Sequence, residues 1–440
     1  MKLFGTFVIG LLLLGACSPD RQEGKDFIED GISLLPTEEL ERMDTQDPNY
    51  EEGVRFAIAK AKLMSACSWT ALSDVPSTIT ASYQWDYRAG ESYSIPYSSV
   101  KELDKFVGSY VSFYTFLSAA HNPRSVLYTE DVSRAPYHGY NCGAYYGTVC
   151  SSSVCYALGI VAPYPSRLLC EDSEWFRKVE SFSLSELRPA DLWAAQGHVI
   201  LVTDVERDEE TGVVKQVEFL DVYSIRNYSR EAFEVYCREH QLAWYRYYGL
   251  SKNKIEAYDG YSWPELEAME WNLDLDLSRG DRSTYREGET VRVNLFTEQY
   301  GTLRLFRDGV LYEEKSSLTP DMDFEGLPAG RYSLFLTDGE KQSGTVCFEV
   351  LETKVQVLEN KLHDLKVRFS SGNAEPVAIV IYQEKESTMS KIFVRDLTDE
   401  ERKEGVLNLT SHLSEGRFFC KVYFKGEYGI VTNDPVAVFN

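Results

Sequence analysis

The sequence predicts an α+β chain: a mixed helix-and-strand region opened by a helical segment, then two all-β sandwiches. Three observations predict it. Residues 51–72, "EEGVRFAIAKAKLMSACSWTAL", carry apolar positions at helical spacing. Between Tyr83 and Leu250, helix and strand signals mix in a stretch rich in Tyr, Ser and Cys. Past Trp271, runs such as "TVRVNLFT", "TLRLFRDGVLYEE" and "GRYSLFLTDG" alternate apolar and polar residues between Gly, Asp and Pro turns. A second set, from "KVQVLE" to "YGIVTNDPVAVF", repeats that patterning without repeating the sequence, which gives sandwiches at 271–352 and 353–440.

The start of the chain speaks to its compartment. Met1-Lys2 is cationic, and Leu3 to Leu14 is apolar but too short for a comfortable membrane span. It ends in "LLGAC", which resembles the bacterial lipoprotein lipobox. That resemblance implies a signal peptide over 1–16 and an acylated Cys17. The alternative is an ordinary signal peptide whose cysteine is incidental. More than one acyl chain on Cys17 would anchor the protein stably. Residues 17–50, opening "SPDRQEGKD" after the cysteine, read as a polar tether. A catalytic-looking region follows over 51–250, and "SKNKIEAYDGYSWPELEA" within 251–270 reads as a linker. The location expected is the bacterial cell envelope, lipid-anchored, on the periplasmic or cell-surface side.

With 440 residues the chain has room for two to four domains, and 43% hydrophobic content is ample for their cores. A formal net charge of −24 argues against nucleic acid and anionic lipid as partners. Apart from Cys17, the cysteines are Cys67, Cys142, Cys150, Cys155, Cys170, Cys237, Cys347 and Cys420. Their spacing is irregular, no CxxC pair occurs, and the six histidines are scattered, so no metal site is expected. A disulfide such as Cys142 with Cys170 stays open.

The chemistry-bearing stretch is "YYGTVCSSSVCYALGI". Gly159 is well placed just past the end of a short helix, which puts Cys150 at its N-terminus. Unpaired backbone N–H groups and the helix dipole favour a thiolate there. Cys155, five residues on, is expected to face the core as a small hydrophobe, and Cys142 in "HGYNCGAYY" has no helix start to activate it. A base is supplied by "LRPADLWAAQGHVILVTDV", where His198 opens a strongly apolar strand behind Gly197. A turn in "DEETG" returns the chain as "VVKQVEFLDVYS". With the hairpin centred between Glu209 and Glu210, His198 lies across from Asp221; a half-residue shift puts Val222 there instead. Asp221 is the candidate orienter of the imidazole. Asp204 is too far along the strand, and Glu218 projects to the other face. His138 is the substitute base.

Taken in order, "SIPYSS" (Ser94–Ser99), "VCSSSV" (Val149–Val154), "LRPADLW" (Leu187–Trp193) and "GHVILV" (Gly197–Val202) resemble the motifs of the NlpC/P60 cysteine peptidases. The resemblance covers about Tyr83 to Leu250. It implies a papain-like fold, a helix packed on an antiparallel sheet, with immunoglobulin-like sandwiches appended. It further implies Cys150 as nucleophile, His198 as base and Asp221 as third member, with no cofactor. Tyr97, Tyr145, Tyr146 and Ser151 are candidates for binding substrate along the cleft. The implied activity is hydrolysis of an amide bond in peptidoglycan stem peptides. Alternatives on the same fold are an N-acetylmuramoyl-L-alanine amidase or an acyltransferase; a third is a non-catalytic lipoprotein that binds wall glycan or protein, a role open to the sandwiches in any case. The sequence departs from the family at Val149, where an Asp commonly precedes the cysteine, and at Ser151-Ser152 in place of Ser-Gly. It also carries a long insert between Pro96-Tyr97 and Cys150, read as a lid or specificity wall, or equally as an extra surface helix with a loop.

Overall fold

In the computed structural model, the structure describes residues 27–28, 35–75, 87–98, 105–132, 144–180, 183–254, 260–296, 301–316, 320–361, 363–370, 372–385, 388–411 and 416–439. The signal peptide, Cys17, His138 and Cys142 lie outside them.

The first long helix, α1 (Tyr50–Ala66), buries Tyr50, Gly53, Ala57, Lys60, Ala61 and Met64, positions three or four apart that make one stripe. It stops earlier than its apolar pattern suggests, because Cys67 turns extended and Ser68–Thr70 pairs with Ser92–Ser94. Helix α2 (Phe113–Ala120) falls in the insert. Helix α3 (Cys150–Leu158) is buried at every one of its nine residues, as a central helix must be. It lies between α1 and a six-stranded antiparallel sheet. In chain order the strands are β1 (Phe176–Lys178), β2 (Leu192–Ala195), β3 (His198–Arg207), β4 (Val214–Asp221), β5 (Ser224–Ser229) and β6 (Ala243–Tyr247), and in space β1-β6-β2-β3-β4-β5. Helix α4 (Arg230–Glu239) covers the other face through Phe233, Tyr236 and Cys237.

Cover on both faces explains why β3 reads as an unbroken apolar run. Val199 and Leu201 enter the core shared with α3, whereas Ile200 and Val202 enter the core shared with α4. The hairpin register holds one surprise. Leu201 pairs with Leu220 and Val202 with Phe219, after a bulge before Asp204. Asp221 therefore faces the position of Ile200, a diagonal neighbour of His198 on the same face rather than its direct opposite.

The rest of the chain is less loosely strung than its sequence suggests. One sandwich joins a three-stranded sheet (Leu275–Leu277, Val291–Leu295, Asp321–Phe324) to a five-stranded sheet, around a core that includes Leu277, Val293, Leu305, Leu334 and Phe348. The other packs a four-stranded sheet on one built around Glu375–Lys385 and Arg417–Lys425. The insert is neither lid nor surface helix over its described residues. Helix α2 is almost wholly buried and docks on the first sandwich: Ser118 Oγ donates to Asp276 (2.7 Å), Thr115 Oγ1 to the Arg282 carbonyl (2.9 Å) and Tyr114 to Asp281 (2.8 Å). A turn of the second sandwich is clasped as well. The N–H groups of Glu427 and Tyr428 donate to the Glu349 carboxylate, and that of Ile430 to the Tyr110 carbonyl. The polar tether is also structured in part, with Phe27–Ile28 paired to Val406–Ser411 and a helix over Thr37–Thr45. The linker begins wired into the core, where Asn253 Nδ2 donates to the carbonyls of Gly53 and Ala157 (both 3.0 Å). Among the described residues no helix is long and apolar enough to cross a membrane.

Candidate active site

Cys150 is the first residue of α3, with Val149 at the N-cap and Gly159 in the left-handed conformation at the far end. A valine side chain has no acceptor, so it leaves the first-turn N–H groups uncapped, where Ser, Thr, Asp or Asn would ordinarily satisfy one. Neighbouring hydroxyls brace the turn from behind: Ser152 Oγ accepts from the Val149 N–H (2.9 Å), and Thr148 Oγ1 bonds the hydroxyls of Ser152 and Ser153. Cys150 is buried, 5% exposed, and its Sγ lies 4.0 Å from the Gly197 carbonyl oxygen. The seven described cysteines are all thiols rather than disulfide halves. Burial pushes the Cys155 thiol up to about 12, which suits its place in the core. Cys170 donates to the Arg167 carbonyl at 3.2 Å.

The "SIPYSS" segment runs alongside the residues that lead into the helix. Thr148 N–H donates to the Pro96 carbonyl (2.9 Å) and Ser98 N–H to the Thr148 carbonyl (3.1 Å), while Gly147 is bridged to Phe106 on its other side. Gly147 is squeezed between them, and a Cβ there would sit 2.5 Å from Ser98 Cβ and 2.8 Å from the Pro96 carbonyl oxygen. The "LRPADLW" motif acts by anchoring. Asp191, buried, takes two hydrogen bonds from Arg246 (2.8 and 3.1 Å) and one from the Arg188 N–H, which ties the start of β2 to β6. Ala190 before it has φ 70°, the left-handed region that favours glycine.

The β2–β3 turn is Gln196-Gly197, closed by the Ala195–His198 pair, and Gly197 takes φ 104°. Ser166 Oγ accepts from the Gly197 N–H (3.0 Å), so the turn is pinned beside the thiol. His198 follows directly. Its Nε2 meets Tyr236 Oη at 3.0 Å and Asp221 Oδ1 at 3.5 Å. Tyr236 donates to Asp221 Oδ2 (3.0 Å), and Arg226 Nη2 reaches the same oxygen at 2.9 Å. His240 stacks on the Tyr236 ring, centroids 4.2 Å apart, and lies 5.6 Å from the His198 ring. Burial holds the His198 imidazole below its ordinary range; Asp221 opposes this, and His240 and Arg226 add to it.

The structure thus brings His198 and Asp221 together, but through Tyr236 rather than by a direct short bond. Strand alternation puts both on the α4 face, while the thiol comes from the α3 face and reaches the β2–β3 turn at Gly197. No hydrogen bond joins Cys150 to His198 among the described residues. Tyr145 and Tyr146, expected along a cleft wall, are 1% exposed and pack edge-to-face on each other, Tyr146 donating to the Arg279 carbonyl (2.7 Å). They are core residues that back the insert and the first sandwich. Ser151 is likewise buried in the first turn of α3, whereas Tyr97 is half-buried beside Thr148. Sequence reasoning missed Tyr236, His240 and Arg226. The four-residue spacing of Tyr236 and His240 was visible as one helical face, but nothing in the sequence says which sheet face that helix covers. Among the described residues, no group of three His, Cys, Asp or Glu side chains is arranged to hold a metal ion. A polar cavity of about 380 Å³ opens elsewhere, lined by Arg286, Glu289, Thr353 and Asn433 where the sandwiches adjoin, and touches none of these residues.

No protein-family model and no curated protein matches the chain. Solved structures similar to parts of it include the FN1–FN3 domains of chicken CNTN1, at 11% identity and TM-score 0.20, covering 37% of this chain and 65% of that one. A two-domain fibronectin type III segment of chicken tenascin matches at 9% identity and TM-score 0.22, covering 38% and 96%. The fibronectin(III)-like modules of Clostridium thermocellum CbhA match at 10% identity and TM-score 0.20, covering 37% and 91%. Likenesses this faint carry no argument, and the two sandwiches stand on their own sheet pairing.

Proposed function

We propose that the chain is a papain-like cysteine hydrolase of the NlpC/P60 kind, lipid-anchored at Cys17 in a bacterial envelope, that cuts an amide bond in peptidoglycan stem peptides. One observation carries the reading: Cys150 opens a buried helix whose first turn has no side-chain cap, 4.0 Å from the turn that leads into His198. The order of the four motifs supports it.

In this mechanism the Cys150 proton passes to His198 and the sulfur attacks the substrate carbonyl carbon. Uncapped N–H groups at the start of α3 hold the tetrahedral oxyanion. Collapse breaks the C–N bond, and the amine leaves with the proton from the imidazolium. Water, deprotonated by His198, then attacks the thioester, releasing the acid and restoring the thiol. The thiol–imidazole bond that this requires must tighten on substrate binding, as catalytic hydrogen bonds commonly do.

A second reading, a wall-binding lipoprotein with an inactive site, is favoured by the contacts the two groups do make, Cys150 Sγ with the Gly197 carbonyl and His198 Nε2 with the Tyr236 hydroxyl. Incubating purified stem peptides and muropeptides with the protein separates the readings by fragment mass. Endopeptidase cuts, amidase cuts and acyl transfer each leave a distinct product. The expected outcome is a cut within the stem peptide that Cys150→Ala abolishes; an unchanged substrate, or cleavage by the Ala variant, would reject the assignment.

A further inference from the structure

A carboxylate has no proton to give, so the 3.0 Å contact between Tyr236 and Asp221 is donated by the phenol. Burial, and then the adjacent Asp221, push the Tyr236 hydroxyl upward, so it keeps its proton. With that proton aimed at Asp221, the phenol oxygen offers only lone pairs to His198 Nε2, 3.0 Å away. The ring satisfies that contact by carrying its own proton on Nε2, which leaves the lone pair on Nδ1. Asp221 does not set this alone, since its nearer oxygen lies 3.5 Å from Nε2, past ordinary hydrogen-bond length.

We infer that Tyr236 is the positioning residue of the site: its hydroxyl relays the Asp221 charge to the imidazole, selects the Nε2–H form and frees Nδ1 to take the thiol proton. The inference deepens the hydrolase reading and rests on it for the role of Nδ1. The surrounding groups fit. His240, also on α4, has Nδ1 2.9 Å from the Tyr236 carbonyl oxygen, which can only accept, so Nδ1–H donates there and the ring stays stacked on the phenol. Arg226 from β5 holds the other side of Asp221 Oδ2, which keeps the carboxylate turned toward Tyr236. Tyr228 from β5 packs edge-on to the Tyr236 ring, centroids 5.7 Å apart, Tyr223 at the β4–β5 turn feels the Asp221 and Arg226 charges, and Cys150 from α3 lies beyond the Gly197 turn.

The arrangement extends the usual three-membered set by a residue from a separate helix. Its logic is geometric. Because Asp221 sits diagonally across the hairpin rather than directly opposite His198, a gap remains between carboxylate and ring, and the phenol fills it.

The test uses the full-length chain in detergent, labelled with ¹⁵N-histidine, and Tyr236→Phe, which keeps the ring and its packing and removes the oxygen. Long-range ¹H–¹⁵N correlation, with His198 assigned by its loss in His198→Gln, reads the tautomer. Iodoacetamide labelling followed by mass spectrometry reads the rate at Cys150. The wild type is expected to show His198 as the Nε2–H form at neutral pH. Tyr236→Phe is expected to show a mixed population and slower Cys150 alkylation, roughly 10- to 100-fold, as when the partner orienting a histidine is removed. A wild-type ring protonated on Nδ1, or a Phe variant with unchanged tautomer and rate, would overturn the assignment. An intact Nε2–H form that Tyr236→Phe disturbs, with Cys150 reacting no faster than Cys155, would instead reject the hydrolase reading and leave the role of Tyr236 standing.

Discussion

Replacing Gly147 with Ala presses on the joint that sets Cys150 in place. The added Cβ would lie 2.5 Å from Ser98 Cβ, 2.7 Å from the Ser98 carbonyl oxygen and 2.8 Å from that of Pro96, none of them the end of a flexible side chain. Ordinary contact needs about 3.5 Å or more, so the 96–98 segment must retreat by most of an ångström. Overpacking of this kind costs about 1–3 kcal/mol. The retreat also strains the hydrogen bonds between Thr148 and Pro96 and between Ser98 and Thr148. At about 1 kcal/mol each, losing one of them brings the total to roughly 2–4 kcal/mol. For a cooperative unit of about 200 residues that is a fall of roughly 4–16 °C in Tm. Differential scanning calorimetry measures it, with Gly212→Ala as comparison: that glycine has φ 68° but nothing within 4 Å, so its cost is the left-handed backbone alone, about 1–2 kcal/mol. If Gly147→Ala melts no lower than Gly212→Ala, the packing between Pro96–Ser98 and the approach to Cys150 is not as described.

Two further outcomes follow from the same geometry. Val149→Ser supplies the missing N-cap and should stabilise the protein by about 0.5–2 kcal/mol in urea unfolding, while slowing alkylation of Cys150, because a capped first turn has one fewer N–H for the sulfur; faster alkylation would contradict this. The depressed His198 imidazole sets a pH dependence. Because the folded state holds the ring neutral, the unfolded chain takes up the proton first as pH falls through about 6.5, and stability drops below that point. His198→Gln should flatten this slope between about pH 7 and 5 in urea midpoints; equal slopes in the two proteins would show that the ring is not held neutral by burial.

How far the site could be read from the chain depended on whether its parts are local. The helix start at Cys150 was legible because a Gly159 stop and a nine-residue helix are neighbours in sequence. So was the hairpin that carries His198 and Asp221, since "DEETG" lies between two apolar runs. The diagonal offset of Asp221 was not, because the turn centres one residue later than expected, Arg207 pairing with Val214, and the two bulges beyond it cancel, none of which any residue type announces. The same holds for Tyr145 and Tyr146. A tyrosine near a nucleophile reads as a cleft wall until the partner that covers it is known, and for Tyr146 that partner is the Arg279 carbonyl, more than a hundred residues away.

Periodicity and turn residues, properties of neighbouring positions, were enough to mark out the sandwiches, the apolar strands, and a cysteine where backbone donors are exposed. Which faces meet depends on contacts between residues far apart in the chain, each weak alone and decisive together. Only the folded structure therefore turned the insert into a domain anchor, put α4 over the imidazole, and made Tyr236 the group that stands between His198 and Asp221.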